Sequence, residues 1–323
     1  KGKGKTIQDA YRQIKLQSSR YLYSDHLQIV IINEDIAKED ISEIIDFYMR
    51  SPAARTEFNV LIGRSEDILS ITTPIDELSS NSILESLKTN HKYLGVSNLV
   101  TFNDFVNMNL NPNTEIIIPS IKVSSNDANN QDKAKDTIKN TESTEVDSMF
   151  KMGGLAVFKN NQLLGYLSED ESITYNIIKN NVENVIINYE CNKNKYLSME
   201  IVTSNSKITT KNGKINIDIK LDGNVKESSC DIELNTNKNI KKVEKKISKY
   251  LDNSIKKDID NIRNKYNSDI FGFLDIIYKH DYNTYKKVKS TWYQNTYKNI
   301  NIKKYMNIFT QSNIRYSWKG HPI

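Results

Sequence analysis

The sequence predicts an α+β protein of several domains, with mixed β-sheets each covered by helices and a long amphipathic helix in the C-terminal domain. Three observations carry this. Helical and strand periodicities alternate through residues 1–123, strand follows strand from Val185 to Leu221, and apolar residues recur at helical spacing from Asn235 to Tyr266. The 323 residues suffice for two or three domains, each with its own core.

Thr6 to about Ser18 is the first predicted helix, with Ile7, Ala10, Tyr11 and Ile14 on one face and Thr6 as its N-cap. Residues 27–32 (Leu-Gln-Ile-Val-Ile-Ile) are apolar, β-branched and too few for a core helix, so they read as a buried strand. Asp40–Arg50 forms an amphipathic helix with Ile41, Ile44, Ile45, Tyr48 and Met49 inward, and Pro52 discourages its continuation. A second strand, 58–62, ends at Gly63. Helix, strand, helix, strand permits parallel neighbours through crossovers. Helices are expected at 82–93 and 101–109, then a strand at 115–121 in which Pro119 disfavours an interior ladder position.

Residues 124–147 are nearly free of large apolar groups and rich in Asn, Asp, Lys, Ser and Thr, which reads as a flexible linker. A central β-rich domain is expected over 148–234, with one helix. It opens on a hairpin, 152–158 and 162–167, around Lys159-Asn160-Asn161. Ser168 and Glu171 match a capping box for a helix to about Asn180. Strands at 185–189, 196–202, 207–210 and 214–221 follow, the last pair joined by Lys211-Asn212-Gly213. Ile215, Ile217, Ile219 and Leu221 share one face.

The C-terminal domain, 235–323, begins with the long helix, where Ile240, Val243, Ile247, Tyr250 or Leu251, Ser254, Ile262 and Tyr266 recur between lysines. Its seam is too imperfect for a coiled coil, so it is placed on a sheet. Helices at 269–280 and 284–297 come next, then one or two strands between Ile300 and Trp318.

Composition excludes some function classes. Lysine plus arginine exceed aspartate plus glutamate by 45 to 40, a net +5 too dispersed for nucleic acid. Glycine (11) and proline (5) are scarce, while isoleucine, asparagine and lysine are heavily used, so lysine runs carry little weight as signals. Cys191 and Cys230 could form one bridge or remain two buried thiols. No apolar run reaches the roughly 18–20 residues that cross a bilayer. The start carries neither a signal core nor a lipid-attachment cysteine, so export and anchoring signals are expected upstream.

Catalytic chemistry finds no foothold. His26, His91, His280 and His321 share no ligand spacing with cysteine or carboxylate, and no metal or cofactor is expected. Gly2-Lys-Gly-Lys-Thr6 lacks the glycine and strand that precede a phosphate-binding loop. Glu66-Asp67, Glu169-Asp170-Glu171 and Asp258-Ile-Asp260 read as solvated acidic runs. The most distinctive stretch is Phe271-Gly272-Phe273, followed by Trp292. Those four residues are candidates for core packing, with Gly272 allowing close backbone approach, or for a partner interface through one exposed ring.

Residues 20–32 (arginine, aromatics, His26, apolar strand), Asp46-Phe-Tyr-Met-Arg-Ser-Pro-Ala-Ala-Arg55, the hairpin from Gly154 to Leu167, and Asp269-Ile-Phe-Gly-Phe273 with Trp292 stand in that order along the chain. Together they resemble the Ger(x)C family, the C subunits of bacterial spore nutrient germinant receptors. Leu274 stands where the family often has glycine, the aromatic-proline after the tryptophan is absent, and the basic C-terminal strand reads Arg315-Tyr-Ser-Trp-Lys-Gly320. The resemblance implies a non-enzymatic lipoprotein whose anchor and first strands lie outside this chain. It implies a place on the outer face of the spore inner membrane, assembled with the integral-membrane A and B subunits. The rival expectation is an extracytoplasmic lipoprotein that captures a small nutrient itself; a cell-wall hydrolase would need an acid–base pair that is not visible.

Overall fold

Strands that are apolar at every position need cover on both faces, whereas alternating strands need it on one; the chain builds one unit of each kind. The computed structural model describes residues 2–17, 26–50, 55–64, 79–125, 148–231 and 236–310. One unit comprises Lys1–Asn90, Val96–Glu169 and Ser268–Gly272, the other His91–Gly95, Asp170–Asn267 and Phe273–Ile323.

The first unit opens with α1 (Ile7–Gln17), β1 (Ile29–Asn33), α2 (Glu34–Lys38), α3 (Ser42–Met49) and β2 (Asn59–Gly63). It continues with α4 (Ser79–Thr89), α5 (Phe102–Leu110), β3 (Ile117–Ser125), β4 (Ser148–Lys159) and β5 (Gln162–Tyr166). Thr6 caps α1 as expected, its Oγ1 accepting from Asp9 N–H at 3.1 Å. The five-stranded sheet runs β1-β2-β3-β4-β5, parallel across the first three and antiparallel across the rest. In β2, Val60 and Ile62 join a core with Ile41, Ile45, Phe102 and Phe105. Leu61 joins a second cluster with Ile83 and Leu87 of α4. Met49, expected inward, is 57% exposed in the last turn of α3.

Pro119 lies in the central strand β3, against the expectation of an edge, and the reason is a bulge. Its partner is Leu155, but Ile121 pairs with Met152, so β4 inserts an extra residue around Gly153-Gly154. Gly154 takes a positive φ of 83°, and its carbonyl accepts from Ser120 Oγ at 2.8 Å. The insertion reverses which face β4 presents: Met152 joins the α4 cluster, while Ala156 and Phe158 join the other. The hairpin after it turns on Asn160 and Asn161, both at positive φ as the sequence suggested. Of the predicted linker 124–147, Ser124 and Ser125 belong to β3 and the rest lies outside the described residues.

The second unit contains α6 (Glu169–Ile178, from Asp170 onward), β6 (Val185–Asn192), β7 (Lys195–Lys211), β8 (Lys214–Ser228), α7 (Asn237–Tyr266), α8 (Phe273–His280), α9 (Tyr282–Val288) and β9 (Ile302–Thr310). Its sheet runs β6-β7-β8-β9, with β9 parallel to β8 and the other pairs antiparallel. The strands predicted at 196–202 and 207–210 are one strand, β7. In its polar middle Ser206 is satisfied from outside the ladder, where its Oγ donates to Ile177 O at 2.8 Å and Asn180 Nδ2 donates to its carbonyl at 3.0 Å. Ile215, Ile217, Ile219 and Leu221 are fully buried on one face, with Leu197, Met199 and Ile201 of β7.

Helix α7, 30 residues long, buries Val243, Ile247, Leu251, Ile255, Ile259, Ile262 and Tyr266. The helix packs against β9 of its own unit, in keeping with its expected place on a sheet. The predicted helix 284–297 is broken: α9 stops at Val288 and a 3-10 turn and a π-turn lead to Thr296. Cys191 and Cys230, left open by the sequence, form a disulfide with Cα atoms 6.2 Å apart. The segment around Pro52, Glu66-Asp67, and Arg315–Gly320 with His321 lie outside the described residues.

Candidate functional site

The four residues singled out by sequence divide between the units. Helix α7 ends at Asn267, whose left-handed backbone (φ 48°) returns its N–H to Arg263 O at 3.1 Å. Residues 268–272 then count with the first unit. Ser268 Oγ donates to Phe158 O at 2.6 Å. The Asp269 carbonyl accepts from Glu115 N–H at 3.2 Å, Thr114 Oγ1 at 3.3 Å and Gly272 N–H at 3.2 Å. Gly272 closes that turn at φ 71°, a conformation glycine adopts without steric cost. Phe271 is buried here.

Phe273 starts α8 in the second unit, and Trp292 belongs to the same aromatic group. Both are buried, and Tyr297 joins them, its ring centroid 6.4 Å from Phe273 and 5.7 Å from Trp292. No ring of the three candidates is exposed. The Trp292 Nε1 is buried without a hydrogen-bond partner among the described residues.

Arg263, which sequence reasoning passed over, holds this group. Its side chain is about 5% exposed, and Nε and Nη2 donate to Tyr297 O at 3.0 and 2.6 Å. Nη2 also reaches Lys298 O at 2.5 Å and Ile300 O at 3.2 Å, and Nη1 lies 3.5 Å from Asp260 Oδ1. The guanidinium thus satisfies the carbonyls that the final helical turn leaves open. A signal was available: Arg263 falls four residues after Ile259 and three before Tyr266, on the buried stripe.

A buried carboxylate sits elsewhere in the second unit. Asp258 accepts from Thr174 Oγ1 at 2.5 Å. Burial raises its pKa first, and the charges of Asp170 and Glu171 add to the rise, against the lowering effect of the Thr174 hydrogen bond. Around it lies a cavity of about 250 Å³ lined by Thr174, Ile177, Asn188, Tyr250 and Ser254. That is below the ~300–1,000 Å³ of ordinary small-molecule sites. The cleft between α1 and α3 in the first unit is larger, about 910 Å³, but open, with Phe47 and the Asp46–Arg50 ion pair on its wall.

Among the described residues no group of three or more His, Cys, Asp or Glu is placed to hold a metal ion. Gly2 and Gly4 fold against the start of α1, where a Cβ on Gly2 would strike the backbone of Ala10 and one on Gly4 the backbone of Asp9 and Ala10. They serve close packing, and Thr6 serves as a cap. No described helix is long and apolar enough to cross a membrane.

Residues 1–123 match the spore germination protein N-terminal domain, and residues 153–317 match the spore germination B3/GerAC-like C-terminal domain. The chain belongs to the spore germination B3/GerAC-like family. This family is not known for enzymes. The chain is 27% identical to spore germination protein KC of Bacillus subtilis over 299 residues, spanning 90% of this chain and 72% of that protein. It is 22% identical over 297 residues to the putative spore germination protein YfkR of the same organism, with the same coverage. The crystal structure of the GerBC protein shares the fold, with a TM-score of 0.61 at 17% identity over 92% of this chain and 82% of GerBC.

Proposed function

We propose that the chain is the non-enzymatic C subunit of a spore germinant receptor. It assembles with integral-membrane A and B subunits and supports nutrient-triggered germination. It is held on the outer face of the spore inner membrane by a lipid anchor. The observation that carries this reading is the ordered match of two germination domains along most of the chain. The burial of Phe271, Gly272, Phe273 and Trp292 supports reading them as core packing rather than as a partner interface.

Deleting the gene in its own organism and following dipicolinic acid release tests this. Loss of the nutrient response, restored by the intact gene, is expected; an unimpaired response contradicts it. Direct nutrient capture is tested separately by calorimetric titration of the purified chain with amino acids and sugars. No saturable heat is expected.

A further inference from the structure

We infer that the second unit carries its own lipid-facing surface, a tyrosine and lysine patch on α8 and α9 that docks on an anionic bilayer. Tyr278, Tyr282 and Tyr285 cluster there, with ring centroids 5.0–5.9 Å apart. Burying the cluster would satisfy the rings, yet Tyr278 and Tyr282 remain 45% and 52% exposed. Stacked surface tyrosines present apolar faces and hydroxyl tips together, the combination that suits the boundary between headgroups and acyl chains.

Cations frame the rings. Lys286 Nζ lies 4.8 Å from the Tyr282 centroid and Lys289 Nζ 5.8 Å from that of Tyr285, while Lys279 and Lys287 are exposed beside them. The turn between β7 and β8 adds Lys211 and Lys214, because Gly213 lies so close to Thr284 that a Cβ on it would stand 3.2 Å from Cγ2. The carboxylates on these two helices are already engaged: Asp275 pairs with Lys279 at 2.7 Å, and Asp281 caps α9 through Thr284. A face with surplus positive charge, long flexible lysine stems and clustered tyrosines complements anionic headgroups. This contact is additional to any upstream lipid anchor and does not depend on the receptor assignment.

The test is co-sedimentation of the purified chain with vesicles containing phosphatidylglycerol, against vesicles of phosphatidylcholine alone. Binding is expected to the first, to weaken at high salt, and to be slight for the second. Combined Lys286→Glu, Lys287→Glu and Lys289→Glu substitution is expected to lower affinity roughly a hundredfold or more, at about fivefold per lysine removed. Tyr278→Ser with Tyr282→Ser is expected to reduce binding severalfold. Each site is exposed, and an unchanged circular dichroism spectrum verifies folding. Equal sedimentation with both lipids, or undiminished binding by the lysine variant, overturns the inference. So does wild-type binding to soluble polyphosphate as strong as to vesicles with no effect of the tyrosine changes. Binding confined to vesicles that contain integral-membrane germination proteins would assign the face to a protein partner and also overturn it. A germination defect on gene deletion without any lipid binding would leave the receptor assignment standing and sink this one alone.

Discussion

Strands β2 and β8 solve the same problem in opposite ways. In β2, Val60, Leu61 and Ile62 are consecutive and all buried, because helices cover both faces of the first sheet. In β8, Ile215, Ile217, Ile219 and Leu221 are buried while Lys214 just before them and Lys220 among them meet solvent. The first unit therefore rests on two apolar layers, whereas the second has one. The second adds devices that a one-layer core needs: a 30-residue helix, a disulfide and a buried arginine clamp. The lesson is that apolar continuity along a strand reports how many faces are covered.

The sharpest way to break that comparison is truncation of neighbouring residues. Leu61→Ala and Ile62→Ala should each cost about 2–5 kcal/mol in urea denaturation, since both faces are core. In β8, Ile219→Ala should cost about as much, but Lys220→Ala should stay within about 0.5 kcal/mol. Comparable losses at Ile219 and Lys220 would show that the second sheet is covered twice.

The arginine clamp gives the next effect. Arg263→Met removes the donors to three backbone carbonyls, and a loss of about 2–4 kcal/mol is expected. Arg263→Lys should recover only part of it, because an ammonium cannot span those acceptors as a fork does. Full recovery by lysine would mean that charge alone, rather than the fork, holds Tyr297. The disulfide follows. Its cysteines are 39 residues apart, for which loop-closure entropy gives at most about 4 kcal/mol, and Cys191→Ser with Cys230→Ser should lose about 2–4 kcal/mol.

The smallest effect depends on pH. Because burial raises the Asp258 pKa, the folded state keeps that proton where the unfolded chain has lost it. Stability from this group is therefore full in acid and falls as pH rises from the ordinary carboxylate range through the raised folded value. Asp258→Asn should flatten this slope and, near neutral pH, match or exceed the wild type by about 1 kcal/mol or less. Thermal melts across that range decide; an unchanged slope would mean that another group carries it.

Much of the fold could be read from residues. The Asn160-Asn161 turn announced its hairpin, Thr6 its cap, and the alternation in β8 its buried face, because each depends on neighbours in sequence. Other features depend on contacts that sequence does not display. The Gly153-Gly154 bulge that admits Pro119 to a central strand shows only once β3 and β4 are paired. Ser204–Ser206 read as a break because Asn180, which satisfies Ser206, comes from another element. Helix α2 is too short to show a period, and the pairing of Cys191 with Cys230 leaves no local mark. In the candidate site, Phe271, Phe273 and Trp292 were visible as bulky apolar residues. Arg263 and Asp258 were hidden because charged residues on a lysine-rich helix read as solvent-facing.

The proposed role is to hold other proteins together. Affinity purification of the tagged chain from detergent-solubilised spore membranes, followed by mass spectrometry, tests it most directly. Co-purification of multi-spanning membrane subunits in near-equal amounts is predicted; recovery of the chain alone, with those subunits intact in the unbound fraction, would contradict it.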